Sequence, residues 1–209
     1  MTRALPLRCL TDRRGAGAAE FALVLPLFLL VFLGTVDVGR LMWTWNRAEK
    51  ATQMAVRYAV VAEMVPAGLE TYDFAVSTPN IPQGERIPDT AFGGADCTAS
   101  GGTVSCTPIA PSTAAQLGTT DPVAFRAIVQ RLQRIYPEAT EANVRVRYSW
   151  SGLGYAGNPS APDVAPLVTV SLRNLNFRPL FLSLFGGSVP LPSFSAALTL
   201  EDGSGNASN

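Results

Sequence analysis

The sequence predicts an α+β protein: a long N-terminal helix, transmembrane and continuing outside, then a small antiparallel sheet head with a packed helix. Three observations predict it. The stretch 21–36 (FALVLPLFLLVFLGTV) is apolar and carries no charge. An alanine-rich stripe with helical spacing follows it. Beyond residue 120, one capped amphipathic segment precedes several that alternate with period two. Four regions are expected: 1–15 as a cytoplasmic leader, 16–65 as the helix, 66–120 as a turn-rich segment, and 121–209 as an extracytoplasmic α+β head with a polar tail.

Composition narrows the chemistry before any motif is read. The 209 residues include 16 basic and 16 acidic side chains, so the formal net charge is zero. No excess of charge points to nucleic acid. Histidine is absent, which excludes a Ser-His-Asp triad, a Cys-His dyad and any histidine-ligated metal. Three cysteines cannot build a four-thiolate site. No catalytic residue, cofactor, metal or small-molecule substrate is therefore expected. The 18 glycines and 16 prolines promise many turns.

The first element is the apolar helix. Phe21 to Val36 spans roughly 24 Å as a helix, a little short of a ~30 Å hydrocarbon core. Ala16–Ala19 on one side and the Val38 and Leu41 neighbourhood on the other complete a span. Arg3, Arg8, Arg13 and Arg14 precede it and favour a cytoplasmic N-terminus, although Arg40, Arg47 and Lys50 beyond it make the bias modest. Three readings compete: a buried helix of a soluble protein, a cleaved secretory signal, and a retained single-pass anchor. Nothing else in the chain is apolar enough to surround a buried helix. No small-x-small cleavage site follows the run. The retained anchor is the reading adopted. Trp43 and Trp45 flank its outer end, where indoles favour the lipid–water boundary.

From Leu41 the pattern turns amphipathic. Leu41, Trp45, Ala48, Ala51, Ala55, Tyr58, Ala62 and Val65 recur at three- and four-residue steps. Arg40, Arg47, Lys50, Arg57 and Glu63 lie off that stripe. Pro66 and Gly68 end the pattern, so Ala16 to Val65 is expected to be one helix of about 75 Å, kinked at Pro26. The small residues let a partner approach closely. Equally, the stripe can pack on the chain's own C-terminal domain.

Glu20 opens the span. A carboxylate entering a bilayer costs about 2–3 kcal/mol or more without a partner. A cut between Gly15 and Ala16 would create a positive amine at the head of the helix, able to neutralise Glu20 in the same chain or in a neighbour. The alternative is an interfacial glutamate that reaches back to water near Arg14.

The stretch Arg13 to Arg57 resembles the TadE-like proteins of tight-adherence (Flp-type) pilus systems. The features that carry the resemblance are the small-residue patch ending in Glu20-Phe21, the run Ala22-Leu23-Val24-Leu25-Pro26, the Gly34…Asp37…Gly39-Arg40 end of the span, and the alanine-rich close at Ala55…Arg57. The resemblance implies a pseudopilin or minor pilin. It implies a prepilin peptidase that cuts after Gly15, leaving Ala16 first and Glu20 fifth. It places Glu20 and Phe21 at the pilin Glu-aromatic pair. The implied partners are that peptidase, other pilins and pseudopilins, an inner-membrane pilus assembly platform and membrane lipid. The implied location is the bacterial inner membrane, with the head outside the cytoplasm.

Beyond Pro66 the chain is turn-rich. Short strands are expected at Tyr72–Val76 and Thr103–Ile109. In an oxidising compartment Cys97 and Cys106 would pair across a hairpin, adding about 2–3 kcal/mol; the alternative is two unpaired buried thiols. Cys9 stays on the reducing side. Asp121-Pro122 is a helix start, with Val123, Ala127, Val129–Gln130, Leu132 and Ile135–Tyr136 as its stripe, ending before Pro137. Asn143–Trp150, Leu167–Leu175 and Pro192–Leu200 read as strands, and Arg178–Phe185 as a short helix. Gly152-x-Gly154-x-x-Gly157 matches a dinucleotide pattern, but Asn158-Pro159 cannot open the required helix, so it is expected to be a turn. Glu138 and Glu141 read as a solvated pair. Arg145 and Arg147 read as exposed strand charges that discourage edge pairing. Asn206-Ala-Ser208 is a sequon by pattern alone.

Three functions are compatible with these features. The first is a pseudopilin acting by helix packing after leader cleavage. The second is an uncleaved single-pass scaffold of a secretion or cell-envelope complex, and the third an exported enzyme with an anchor.

Overall fold

A computed structural model describes residues 15–159, 161–181, 183 and 186–200. The leader up to residue 14 with Cys9, and the tail 201–209 with its sequon, lie outside the described residues. The chain forms two compact units, one of 1–42 with 178–188, the other of 43–177 with 189–209. One helix, α1 (Ala16–Ala59), contributes residues to both. The chain is α+β.

In the first unit α1 is apolar and runs through Pro26 without a break. The short excursion 178–188 belongs with it.

The second unit is a five-stranded antiparallel sheet with helices against one face. Its strands are β1 (Ala95–Ser100), β2 (Thr103–Pro108), β3 (Val144–Ser149), β4 (Leu167–Leu172) and β7 (Phe194–Thr199), in the order β2-β1-β3-β4-β7. A separate two-residue ladder joins β5 (Asn176–Phe177) to β6 (Val189–Pro190). Alternation sets the register. Ala95, Cys97, Val144, Val146, Tyr148, Val168, Val170 and Leu172 are buried, and each sits beside another across the ladders, as in Cys97↔Val146↔Val170. A slip by one residue would expose all of them.

Helix α3 (Pro122–Gln133) follows its sequence signals. The Asp121 carboxylate accepts the N–H groups of Val123 at 2.7 Å and Ala124 at 3.2 Å, and Pro122 takes the position where no donor is needed. Its buried stripe is Ala124, Phe125, Ile128, Val129 and Leu132, and Val123 is exposed. Of the expected stripe, Val129, Leu132 and Tyr136 are buried as read, but Val123 faces solvent, because Phe125 and Ile128 carry the larger apolar surface and dictate the inward face.

The C-terminal part of α1 forms the hub of this unit. Ala48, Ala51, Ala55 and Ala59 are fully buried. Arg47 donates to the Ile135 carbonyl through Nε at 3.0 Å and Nη2 at 2.8 Å, closing the chain just after α3. The Arg131 guanidinium lies over the Tyr58 ring, and Trp45 meets Phe194 edge to face at 5.1 Å. The alanine stripe thus packs on the chain's own head.

Four expectations need correction. The helix ends at Ala59, not Val65. The Val61 N–H already bonds to Tyr58 in a tightened turn. Beyond it, backbone groups find tertiary partners: Met64 N–H donates to Glu70 Oε1, Val65 N–H to the buried Tyr148 hydroxyl, and Asp121 N–H to the Val65 carbonyl. A helix would forfeit these bonds. Residues 72–76 form turns, not a strand. The Asp73 carboxylate accepts the Ala75 N–H at 2.7 Å, and the Phe74 N–H goes to Asp163 at 2.8 Å, which takes two donors that a ladder would need. The third correction concerns Arg145 and Arg147. They lie on an interior strand, and both engage Asp96 of the neighbouring strand. The fourth is the α3 stripe.

The helix expected at 178–185 falls partly on 182, 184 and 185, outside the described residues. The Ser183 N–H donates to the Pro179 carbonyl at 3.2 Å, one helical turn. The Gly152–Gly157 stretch is a turn with φ of 78°, 108° and 72° at its three glycines, and no helix follows it. At Gly154 a Cβ would stand 2.3 Å from the Asp163 carbonyl oxygen, so only glycine fits.

Candidate functional site

The chemistry of this chain is concentrated in the first unit. Its helix is largely apolar, and among the described residues most of it is left exposed. The most apolar window of α1 has a mean hydropathy of 2.4, and only 6% of it is buried. Leu23 is 80% exposed and Leu27 66%. Phe28 and Phe32 stack on each other with ring centroids 6.2 Å apart, yet both stay exposed. Water could not solvate this surface cheaply at about 25 cal/mol per Å². The helix is compatible with a single-pass membrane anchor. Its polar atoms follow the same logic, since the Thr35 hydroxyl donates to the Phe32 carbonyl at 2.7 Å.

The expected site residues fall into two groups. Gly15, Ala16, Glu20, Phe21 and Pro26 lie at the start of α1. Gly15 stands just before the helix, with open space where a Cβ would sit. Glu20 and Phe21 are exposed, and among the described residues Glu20 has no hydrogen bond or ion pair. The first turn of α1 holds no acid of its own.

Asp37 and Arg40 form the second group, and here the structure adds what the sequence did not indicate. Asp37 is only 5% exposed. Its carboxylate accepts the N–H of Leu180 at 2.7 Å and of Phe181 at 2.9 Å. Asp37 thus satisfies two backbone donors supplied by another part of the chain. Arg40 lies 3.5 Å from the same carboxylate, one turn further on. Leu33 and Val36 join Asp37, Leu180 and Phe181 around a shallow apolar crevice. The signal in the sequence was the run PLFLSLF at 179–185, too apolar for a solvated loop of a small head.

Arg57 is exposed in the second unit. Cys97 and Cys106 are directly opposite on β1 and β2 and form a disulfide, with Cα atoms 4.1 Å apart. On the open face of the sheet, burial and the nearby charges of Arg147 and Arg173 lower the Arg145 pKa from its ordinary value. The shared Asp96 offsets this crowding.

No curated protein and no solved structure matches the chain. Residues 15–57, most of the long helix, match the family model of the TadE-like protein, and over this segment the chain is similar to that pilin-related family.

Proposed function

We propose that this chain is a TadE-like pseudopilin of a Flp-type (tight-adherence) pilus. It is made as a single-pass protein of the bacterial inner membrane, with its N-terminus in the cytoplasm. A prepilin peptidase removes residues 1–15, and the mature helix then packs with other pilins and pseudopilins at an inner-membrane assembly platform. Its role is structural, and no catalytic step is assigned to it. The observation that carries this reading is the exposed apolar helix with a carboxylate, Glu20, at its start that has no partner among the described residues. Cleavage would put the Ala16 amine one helical turn before Glu20, within reach of it or of the same residue in a neighbour. Cleavage also removes four arginines that hold the leader at the cytoplasmic surface. The helix could then leave lipid for a bundle, where packing replaces acyl-chain contacts.

The test is the N-terminal mass of the membrane protein from cells that carry the peptidase. A mature chain starting at Ala16 is expected. Gly15→Asp should abolish that product, and since nothing lies near the Gly15 Cβ position, the loss would report on recognition and not on folding. A chain that starts at Met1 would instead make this the uncleaved scaffold of a secretion or envelope complex.

A further inference from the structure

We propose that the turn carrying Leu180 and Phe181 is a second membrane contact, dipping into the outer part of the bilayer beside α1 with lipid acyl chains as its partner. This rests on the reading of the first unit's helix as membrane-spanning.

Four observations converge on it. The first is chemical: 179–188 carries no charge, and Arg178 stands at its start, where a guanidinium can reach the headgroups. The second is placement. Leu180 and Phe181 lie against Leu33, Val36 and Asp37, the last turn of the uncharged run. Asp37 follows Glu20 by seventeen residues, about 26 Å of helix, which falls within a hydrocarbon core of about 30 Å. The turn therefore meets the helix at membrane depth.

The third observation is the backbone. Irregular chain is tolerated in lipid only when its polar groups are satisfied within the protein. The Leu180 and Phe181 N–H groups go to Asp37, the Ser183 N–H to Pro179, and the Gly186 N–H to Ser183. The Ser183 hydroxyl donates to the Leu180 carbonyl at 2.9 Å. The arrangement also serves Asp37, whose charge at this depth is met by two donors and Arg40. The fourth is that Leu180, although apolar, is 63% exposed and continuous with the bare surface of the helix. Lipid is the occupant common to both.

The experiment uses the full chain in vesicles of phosphatidylethanolamine and phosphatidylglycerol, with Cys9→Ser and the disulfide left intact. Leu180→Cys carries an environment-sensitive fluorophore, and Leu27→Cys is the control within the span. Both side chains are exposed, so the label does not disturb packing. Lipids brominated along their acyl chains should cut the emission at both positions by about half, while aqueous iodide should have little effect. If Leu27 responds to brominated lipid but Leu180 responds to iodide, the turn lies in water and the inference is wrong. If Leu180 responds to neither, protein covers it, and the inference is equally wrong. If Leu27 itself fails to respond, the spanning reading falls and takes this one with it. On the unmodified chain, a photoreactive phospholipid should label the tryptic peptide beginning at Asn174. Labelling confined to helix peptides would overturn the proposal without any substitution.

Discussion

Glu70 shows how one side chain can hold a junction together at some cost. Its Oε1 accepts the Met64 N–H at 2.7 Å, just beyond the end of α1. Burial raises its pKa, the Met64 bond opposes that, and the charges of Glu63 and Asp121 raise it further. The folded state therefore holds the Glu70 proton more tightly than the unfolded chain. The stability that this gives is complete below the ordinary glutamate pKa and is lost as pH rises through the raised folded value. Glu70→Gln keeps an acceptor for Met64 and removes the titration. The variant should be slightly more stable at neutral pH, by less than about 1 kcal/mol because the group is partly solvated. Its stability should also change less between about pH 4 and about pH 7. Urea unfolding across that range is the measurement, and an unchanged slope would show that Glu70 is not the titrating group. Arg145 and Arg147 give a second residue-scale lesson. Their alternation is visible in the sequence, but that their strand is interior depends on its pairing with β1 and β4, and their partner Asp96 lies about fifty residues earlier.

Among the elements, α1 changes character along its length. Up to Met42 most of its side chains are apolar and exposed, with Asp37 the buried exception; from Ala48 its inward positions include four alanines buried to zero exposure. The same helical geometry is compatible with a membrane anchor in one part and packs on a dense head in the other. Small residues suit the second part because they let the backbone approach its neighbours. The β1–β2 hairpin is secured in two ways, by a six-pair ladder and by Cys97–Cys106. Replacing both cysteines by alanine should cost about 2–3 kcal/mol, mostly by freeing the unfolded chain. Urea unfolding of the oxidised wild type and the double variant would measure it. The strand order should survive, since β1 also pairs with β3.

For the molecule as a whole, stability and function are assigned to different units. The sheet unit buries its own core. Among the described residues the helix unit leaves most of its apolar surface exposed, and in the proposed assembly lipid and then other helices would cover it. Glu20→Gln tests the charge that would govern that transfer. Leader removal should proceed normally, because the scissile bond is untouched. Assembled pili should fall by more than about tenfold, the consequence of losing about 2 kcal/mol or more of charge pairing in an apolar setting. Electron-microscopic counts beside N-terminal masses would check it. Normal pilus numbers would remove Glu20 from any role in register.

What was legible in the sequence was whatever depends on neighbours along the chain. The hydropathy of 21–36, the Asp121-Pro122 cap and the alternation at 144–149, 167–172 and 194–199 each express a local period or a local hydrogen bond, and each led to the right element. The TadE-like segment was legible for the same reason, being one continuous stretch. The tertiary structure alone decided where α1 stops, why 72–76 turns away from a ladder, which strand lies between which, and that Asp37 holds the backbone of Leu180 and Phe181. In every one of these cases a backbone donor or acceptor finds its partner dozens of residues away. Hydrogen bonds at that separation leave no periodic trace in the sequence, because they depend on which surfaces the collapsed core brings together.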